Sequence, residues 1–223
     1  MNKNEYEAQQ ESTLEDATEM GLTEDEFNLI CNKIKKIPNK TELGIFSAMF
    51  SEHCSYKSSK DTLKKYLPTK GSEVVLGIGE DAGLIHFTEH EGTRYSLAVS
   101  HESHNHPSQI LPVEGAATGV GGVVRDVYCM GADVIGVMNS LHFGIDSKGD
   151  NPMVDEIAER VVVGVSDYAN PLGVPVLGGE TLYHTSYNDN CLVNVAAVGL
   201  IDESRLIHSY VPQRAKSEPY DVI

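Results

Sequence analysis

The sequence predicts an α/β (α+β) fold, a mixed sheet with helices on one face, preceded by a helical N-terminal segment. Three observations carry this. Short β-prone runs separated by glycine turns occupy 74–99; amphipathic helices alternate with strands from 112 to 200; and the first 70 residues show helical spacing without strand signals. The expected divisions are an acidic flexible arm over 1–22, a helical segment over 23–70, an α/β domain over 71–202, and the start of a following region over 203–223.

Residues 1–20 are polar and poor in aromatics, which predicts a loose arm or frayed helix. Thr23-Glu24-Asp25-Glu26 has the capping-box form, and Phe27, Ile30, Ile34 and Ile37 follow at helical spacing as far as Pro38. Thr41 is placed as the cap of a second helix carrying Leu43, Phe46, Met49 and Phe50, and a third short helix is expected over 57–67. After Gly71 the pattern changes, and 74–76, 84–87 and 95–99 read as strands around a glycine-rich turn at 77–83. Over 112–130, Val113, Ala116, Ala117, Val120, Val124 and Val127 define one buried stripe. A helix over 153–169 presents Val154, Ile157, Ala158, Val161, Val162, Val165 and Tyr168 on one face and is closed by Pro171 and Gly173. Strands at 133–141, 174–177 and 192–200 complete the domain. The final residues carry no capping or turn chemistry, which predicts continuation into further sequence.

A net charge of -16 with no clustered positive potential argues against nucleic acid and anionic membranes as partners. The acids concentrate early, with nine against one lysine in residues 1–30, whereas 33–70 holds nine lysines against Glu42, Glu52 and Asp61. That basic segment fits a solvated helical face or a draw on small anions. No apolar run reaches the roughly 18–20 residues of a membrane span, and there is no leader-like start, so a cytoplasmic location is expected. Cys31, Cys54, Cys129 and Cys191 stand too far apart to suggest a disulfide framework or a cysteine zinc site.

The densest chemistry is His101-Glu102-Ser103-His104-Asn105-His106-Pro107, directly after a predicted strand, where α/β proteins place active groups. Three readings stand: a zinc site on His101, His104 and His106; a hard cation on Glu102 with the histidines binding or moving protons; or a polar turn capping the next helix. Gly115, Gly119, Gly121 and Gly122 then interrupt a helix at about 1 kcal/mol each relative to alanine, so either close packing or a ligand must compensate. Thr118, Gly121, Gly122, Arg125 and Cys129 share a face away from the valines. Arg125 there can fork two hydrogen bonds onto a carboxylate or phosphate, and Asp126 suits magnesium. The glycine spacing matches neither a Walker loop nor a dinucleotide fingerprint. In Ser51-Glu52-His53-Cys54-Ser55-Tyr56-Lys57, His53 reads as a helix-terminal cation and Cys54 lacks a facing base. Gly178-Gly179-Glu180-Thr181 is expected to be a turn.

Together, the runs 51–59, 102–108, 115–126 and Met130-Gly131-Ala132 stand in the order and spacing of the phosphoribosylformylglycinamidine synthase family. The chain resembles its synthetase subunit from about residue 22 to 223. The resemblance implies an aminoimidazole ribonucleotide synthetase N-terminal-like domain within an ATP-dependent carbon–nitrogen ligase. That ligase converts formylglycinamide ribonucleotide to the amidine with Mg2+, using ammonia from a glutaminase subunit joined by a small accessory subunit. It implies catalytic roles for His53 and His104, with His104 the proton acceptor, and an ATP contact at Tyr56. Glu102 and Asp126 are the implied metal ligands, and Ser103, His104, Asn105, His106 and Arg125 the implied substrate contacts. Two positions depart from the family pattern: Ser100 stands where a lysine for ATP is usual, and Asp81 replaces an asparagine. These departures also suit a non-catalytic short paralogue acting as a binding or assembly module, or a sister enzyme on the same fold. The resemblance predicts that the fragment is inactive alone, and a sheet edge left uncovered predicts a homodimer.

Overall fold

The computed structural model describes residues 10–145 and 153–210, and the chain divides into two compact units, Met1–Pro68 and Thr69–Ile223. The first is helical: α1 (Leu14–Glu19), α2 (Glu24–Ile34), α3 (Lys40–Phe50), α4 (Glu52–Ser55) and α5 (Lys60–Tyr66). Its core is Ala17, Leu22, Ile30 and Leu43, with Phe27, Ile34, Phe46 and Phe50 packed against it. Capping boxes open α1, α2 and α3, pairing Thr13 with Asp16, Thr23 with Glu26 and Asn39 with Glu42.

Four expectations change here. The segment expected as an arm is tied in from residue 10: Ala17 is fully buried, and Ser12 donates to the Pro38 carbonyl through both its amide, at 2.9 Å, and its hydroxyl, at 2.7 Å. Residues 1–9 of that arm lie outside the described residues. The cap of α3 is Asn39 rather than Thr41, because Glu42 stands three residues beyond Asn39 and closes the box, whereas Thr41 would need Gly44 in that place. α2 stops at Ile34, where Lys35 turns left-handed at φ 60° and leaves Ile37 exposed. α5 starts later than expected because the Glu52 carboxylate holds the amides and hydroxyls of Ser58 and Ser59 ahead of it, bonds that lower its pKa to about 2.

The second unit is a six-stranded sheet in the order β1-β2-β3-β6-β4-β5, formed by β1 (Val74–Leu76), β2 (Gly83–His90), β3 (Thr93–Ser103), β4 (Asp133–Phe143), β5 (Val176–Tyr183) and β6 (Leu192–Asp202). All neighbours are antiparallel except β4 and β5. That parallel pair needs a crossover, supplied by helix α8 (Met153–Leu172); α6 (Asn105–Ile110) and α7 (Pro112–Cys129) follow β3. β6 alternates strictly: Val193, Val195, Ala197 and Ile201 are buried beneath Val120, Val123, Val124 and Val127 of α7, with Ile157, Val161 and Val165 of α8 in the same core. On the opposite face Ile85, Val99, Met138 and Leu182 remain 39–48% exposed.

Several boundaries move, three of them with consequences for the site or the core. β3 runs four residues past its expected end because the ladder with β6 continues through Ser103↔Asn194. α8 extends to Leu172 and takes Pro171 into its last turn before Gly173 turns at φ 66°. Gly178-Gly179-Glu180-Thr181 is strand rather than turn: Gly179, at φ 151°, runs so close to β4 that a Cβ would sit 1.9 Å from the Asn139 carbonyl oxygen.

Just beyond β6, Glu203 accepts bonds from Arg94 Nε at 2.9 Å and Ser96 Oγ at 2.8 Å, with His86 Nδ1 at 3.2 Å. Arg94, then Ser96, holds its carboxyl at about 2, well below the usual glutamate value. A depressed acid stabilises the fold above its unfolded pKa, and that contribution is lost as pH falls through the folded value. Melting temperatures between pH 5 and 2 should therefore fall less steeply in Glu203→Gln than in the unmodified chain; equal slopes would remove Glu203 from the acid response.

Candidate functional site

Strand parity divides the 101–107 run. Ser96, Ala98, Ser100 and Glu102 pair with the buried row of β6 and face α7, whereas His101 and Ser103 point to the other face of the sheet. Under α7, His104 Nε2 lies 2.9 Å from Glu102 Oε2. An ionised glutamate only accepts, so the imidazole donates from Nε2 and leaves the lone pair on Nδ1. The pair occupies a notch cut by missing side chains. A Cβ on Gly122 would stand 2.5 Å from Glu102 Oε2, and one on Gly119 would touch the His104 ring at 3.5 Å.

Beside this pair, Ser100 Oγ donates to Asp126 Oδ2 at 2.6 Å. Burial raises the Asp126 pKa, and the negative charges of Glu102 and Asp81 add to that, while the Ser100 bond and Arg125 partly offset it. Arg125 is exposed and makes no ion pair among the described residues. Such a hard oxygen set fits a cation completed by phosphate oxygens and water. Among the described residues no group of three His, Cys, Asp or Glu is arranged to hold a metal, and parity separates His101 from the Glu102–His104 pair; neither fact favours the three-histidine zinc reading.

Asn105 also ties two elements together. Its Oδ1 accepts from Val193 N at 2.8 Å, and Gln109 Oε1 accepts from Cys191 N at 2.8 Å, so α6 is strapped to the start of β6. Burial pushes the Cys191 thiol up to about 11, as an inert core cysteine. His106 is exposed on α6. His53 and Tyr56 belong to the first unit, His53 in α4 and Tyr56 left-handed at φ 51° and half exposed, projected by the turn that Glu52 clamps. The glycine question has a divided answer: Gly115 packs on the Ser108 backbone and Gly121 on the Tyr168 ring, while Gly119 and Gly122 make room for His104 and Glu102. The sequence reading missed Ser100 as the partner of Asp126; its spacing of two from Glu102 marks a shared strand face once β3 is known to extend.

Gly122→Ala should keep the helix, since alanine is the better helix former, yet swing Glu102 aside. A crystal structure of the variant should show the 2.9 Å contact to His104 broken; an unmoved carboxylate would contradict the notch.

Residues 79–201 match the family model described as AIR synthase related protein, N-terminal domain. The chain belongs to this family. Ahead of the AIR synthase related domain, residues 12–57 match the formylglycinamide ribonucleotide amidotransferase linker domain. The chain is 45% identical over 204 residues to phosphoribosylformylglycinamidine synthase subunit PurL of Methanothrix thermoacetophila, covering 92% of this chain and 26% of that protein. To the Cereibacter sphaeroides subunit it is 49% identical over 189 residues, covering 85% and 25%. It thus spans about a quarter of the length of these relatives. Among solved structures, T. maritima PurL complexed with ATP aligns at TM-score 0.66 and 35% identity, covering 86% of this chain and 29% of that one. The FGAR complex aligns at 0.65 and 35%, covering 86% and 28%, and PurLQS from Thermotoga maritima at 0.62 and 37%, covering 84% and 28%. The AIR synthase related domain thus carries the mixed sheet with helices on one face, after a helical segment. Among the described residues no helix is long and apolar enough to cross a membrane.

Proposed function

We propose that this chain is the N-terminal part of a cytoplasmic ATP-dependent synthetase that converts formylglycinamide ribonucleotide to formylglycinamidine ribonucleotide in purine biosynthesis. The observation that carries this reading is the Glu102–His104 pair seated in the glycine notch beside Asp126. In that reaction ATP phosphorylates the glycinamide carbonyl oxygen, ammonia attacks that carbon, and phosphate leaves with the oxygen.

Glu102 orients His104, whose Nδ1 takes a proton from the attacking nitrogen. Glu102 and Asp126 hold Mg2+, which when bound offsets phosphate charge. Arg125 is free to meet the substrate phosphate. Ser103 and His106, both exposed, contact the substrate; Asn105 contacts it through its remaining amide donors while its oxygen holds β6. His53 takes part in catalysis and Tyr56 contacts ATP. With Ser100 in place of lysine, Asp126 gains a neutral partner and ATP loses a cationic one, so nucleotide binding is weaker than the family pattern implies.

The PurLQS structure supports a glutaminase subunit as partner, and the family resemblance implies a small accessory subunit beside it. The fragment is inactive without the remaining length of the synthetase, and alone it pairs with a second copy through its uncovered sheet edge. A non-catalytic role is favoured only by Ser100 and Asp81. The deciding assay is phosphate release by the full synthetase that carries this chain. Release that requires ATP, magnesium, formylglycinamide ribonucleotide and ammonia together supports the reading, and no release under those conditions refutes it.

A further inference from the structure

In the first unit, Glu52 grips the chain on both sides of a single residue, Tyr56. The Glu52 carbonyl accepts from Tyr56 N at 3.0 Å. Its carboxylate accepts from Ser58 N at 2.9 Å and Ser59 N at 3.1 Å, and from the hydroxyls of both serines. Lys57 is tied down separately: its Nζ lies 3.0 and 3.1 Å from the Glu26 carboxylate oxygens and 3.5 Å from the Gly21 carbonyl. Glu26 in turn is fixed by the Thr23 box at the start of α2. Residues 57, 58 and 59 are thus each held by a side chain.

Packing of α5 does not account for these bonds, because that helix buries none of its residues. Capping does not either: Ser59 stands at the N-cap of α5, yet its hydroxyl goes to Glu52 and caps nothing. What the bonds fix is Tyr56, at φ 51° and ψ 33°, a left-handed conformation that a residue with a Cβ adopts only against a steric cost. Its carbonyl accepts from Ser59 N and Lys60 N, so its backbone is held at both ends. The Tyr56 side chain is left outside this network: it is half exposed, and its hydroxyl makes no hydrogen bond among the described residues. A strained backbone fixed by its surroundings beneath an unpartnered aromatic ring is the pattern of a contact ordered before its ligand arrives.

We propose that Glu52 is a positioning residue for nucleotide binding, clamping the 56–59 turn so that the Tyr56 ring meets ATP already ordered. This rests on the synthetase reading, which supplies the ATP contact at Tyr56. His53 does not depend on the clamp: it lies in α4, whose N-cap Ser51 accepts from Cys54 N through its own hydroxyl. The clamp therefore acts on ATP affinity and not on the chemical step. The sign of the effect separates positioning from plain electrostatics. A carboxylate near ATP repels its phosphates, so removing that charge alone would tighten nucleotide binding, whereas loss of the clamp weakens it.

The test is steady-state phosphate release by the full synthetase, with ATP varied at saturating formylglycinamide ribonucleotide and ammonia. Glu52→Gln should raise KM for ATP by roughly threefold to tenfold, the scale of one aromatic contact, and leave kcat and KM for the ribonucleotide unchanged. Ser58→Ala combined with Ser59→Ala keeps the Glu52 charge and both amide bonds; it should raise KM for ATP by less, and it carries the test should Glu52→Gln fail to fold. Tyr56→Ala should raise KM for ATP at least as far as Glu52→Gln does, and adding Glu52→Gln to it should raise KM no further. An unchanged or lower KM for ATP in Glu52→Gln, or an effect additive with that of Tyr56→Ala, overturns the clamp and leaves the synthetase reading intact. A parental KM in Tyr56→Ala overturns the clamp together with the ATP contact at Tyr56. No release by the unmodified protein overturns the synthetase reading and the clamp with it.

Discussion

His104→Ala in the full synthetase is expected to lower turnover by roughly a hundredfold to ten-thousandfold, the usual range for losing a positioned proton acceptor. The ring lies partly buried between Glu102 and Gly119, so alanine leaves a small void and the backbone bond from His104 N to Val193 O, 2.8 Å, persists. Folding should survive. The loss should appear in kcat, because Nδ1 acts on the attacking nitrogen and not on the resting substrate. Glu102→Gln sharpens the assignment: glutamine can accept from Nε2 but carries no charge to stabilise the imidazolium, so kcat should fall although the ring keeps its place. Undiminished turnover in His104→Ala, measured by phosphate release, would remove this histidine from the chemistry.

Gly164→Ala is expected to cost about 2 kcal/mol of stability or more, although alanine is intrinsically the better helix former by roughly 1 kcal/mol. A Cβ there would lie 2.2 Å from the Val113 carbonyl oxygen and 3.0 Å from its Cα. Both partners are backbone, so no rotamer change relieves the overlap, and α7 and α8 must separate across the core that holds Val120 and Val161. Gly44→Ala in α3 is the contrast: nothing lies within 4 Å, so that variant should gain roughly 0.5–1 kcal/mol. Urea unfolding decides both, and a Gly164→Ala variant as stable as its parent would mean that the helices tolerate a wider approach.

Much of this fold is legible in the sequence. The valine stripes of α7 and α8 and the alternation of β6 announce themselves by period, and the Thr23 box marks the start of α2. The misses share a physical cause, which is tertiary pairing overriding local preference. His101-Glu102-Ser103 lacks β-formers yet is strand because β6 supplies the ladder, and Gly178-Gly179 looks like a turn yet is extended because β4 demands a close approach. Insertion of β6 between β3 and β4 leaves no mark in local sequence, so the faces of Glu102 and Ser103 were not readable. Within the site, the acids and His104 stand out by type, but the Gly122 notch and the Ser100–Asp126 bond need three-dimensional placement.

The reaction makes one demand that does not depend on any variant. If ATP activates the glycinamide carbonyl oxygen, that atom must leave in the phosphate. Formylglycinamide ribonucleotide carrying heavy oxygen in its glycinamide carbonyl, turned over by the full synthetase with ATP and ammonia, should yield inorganic phosphate bearing the label, one atom per turnover, by mass spectrometry. Unlabelled phosphate formed alongside amidine product would contradict it.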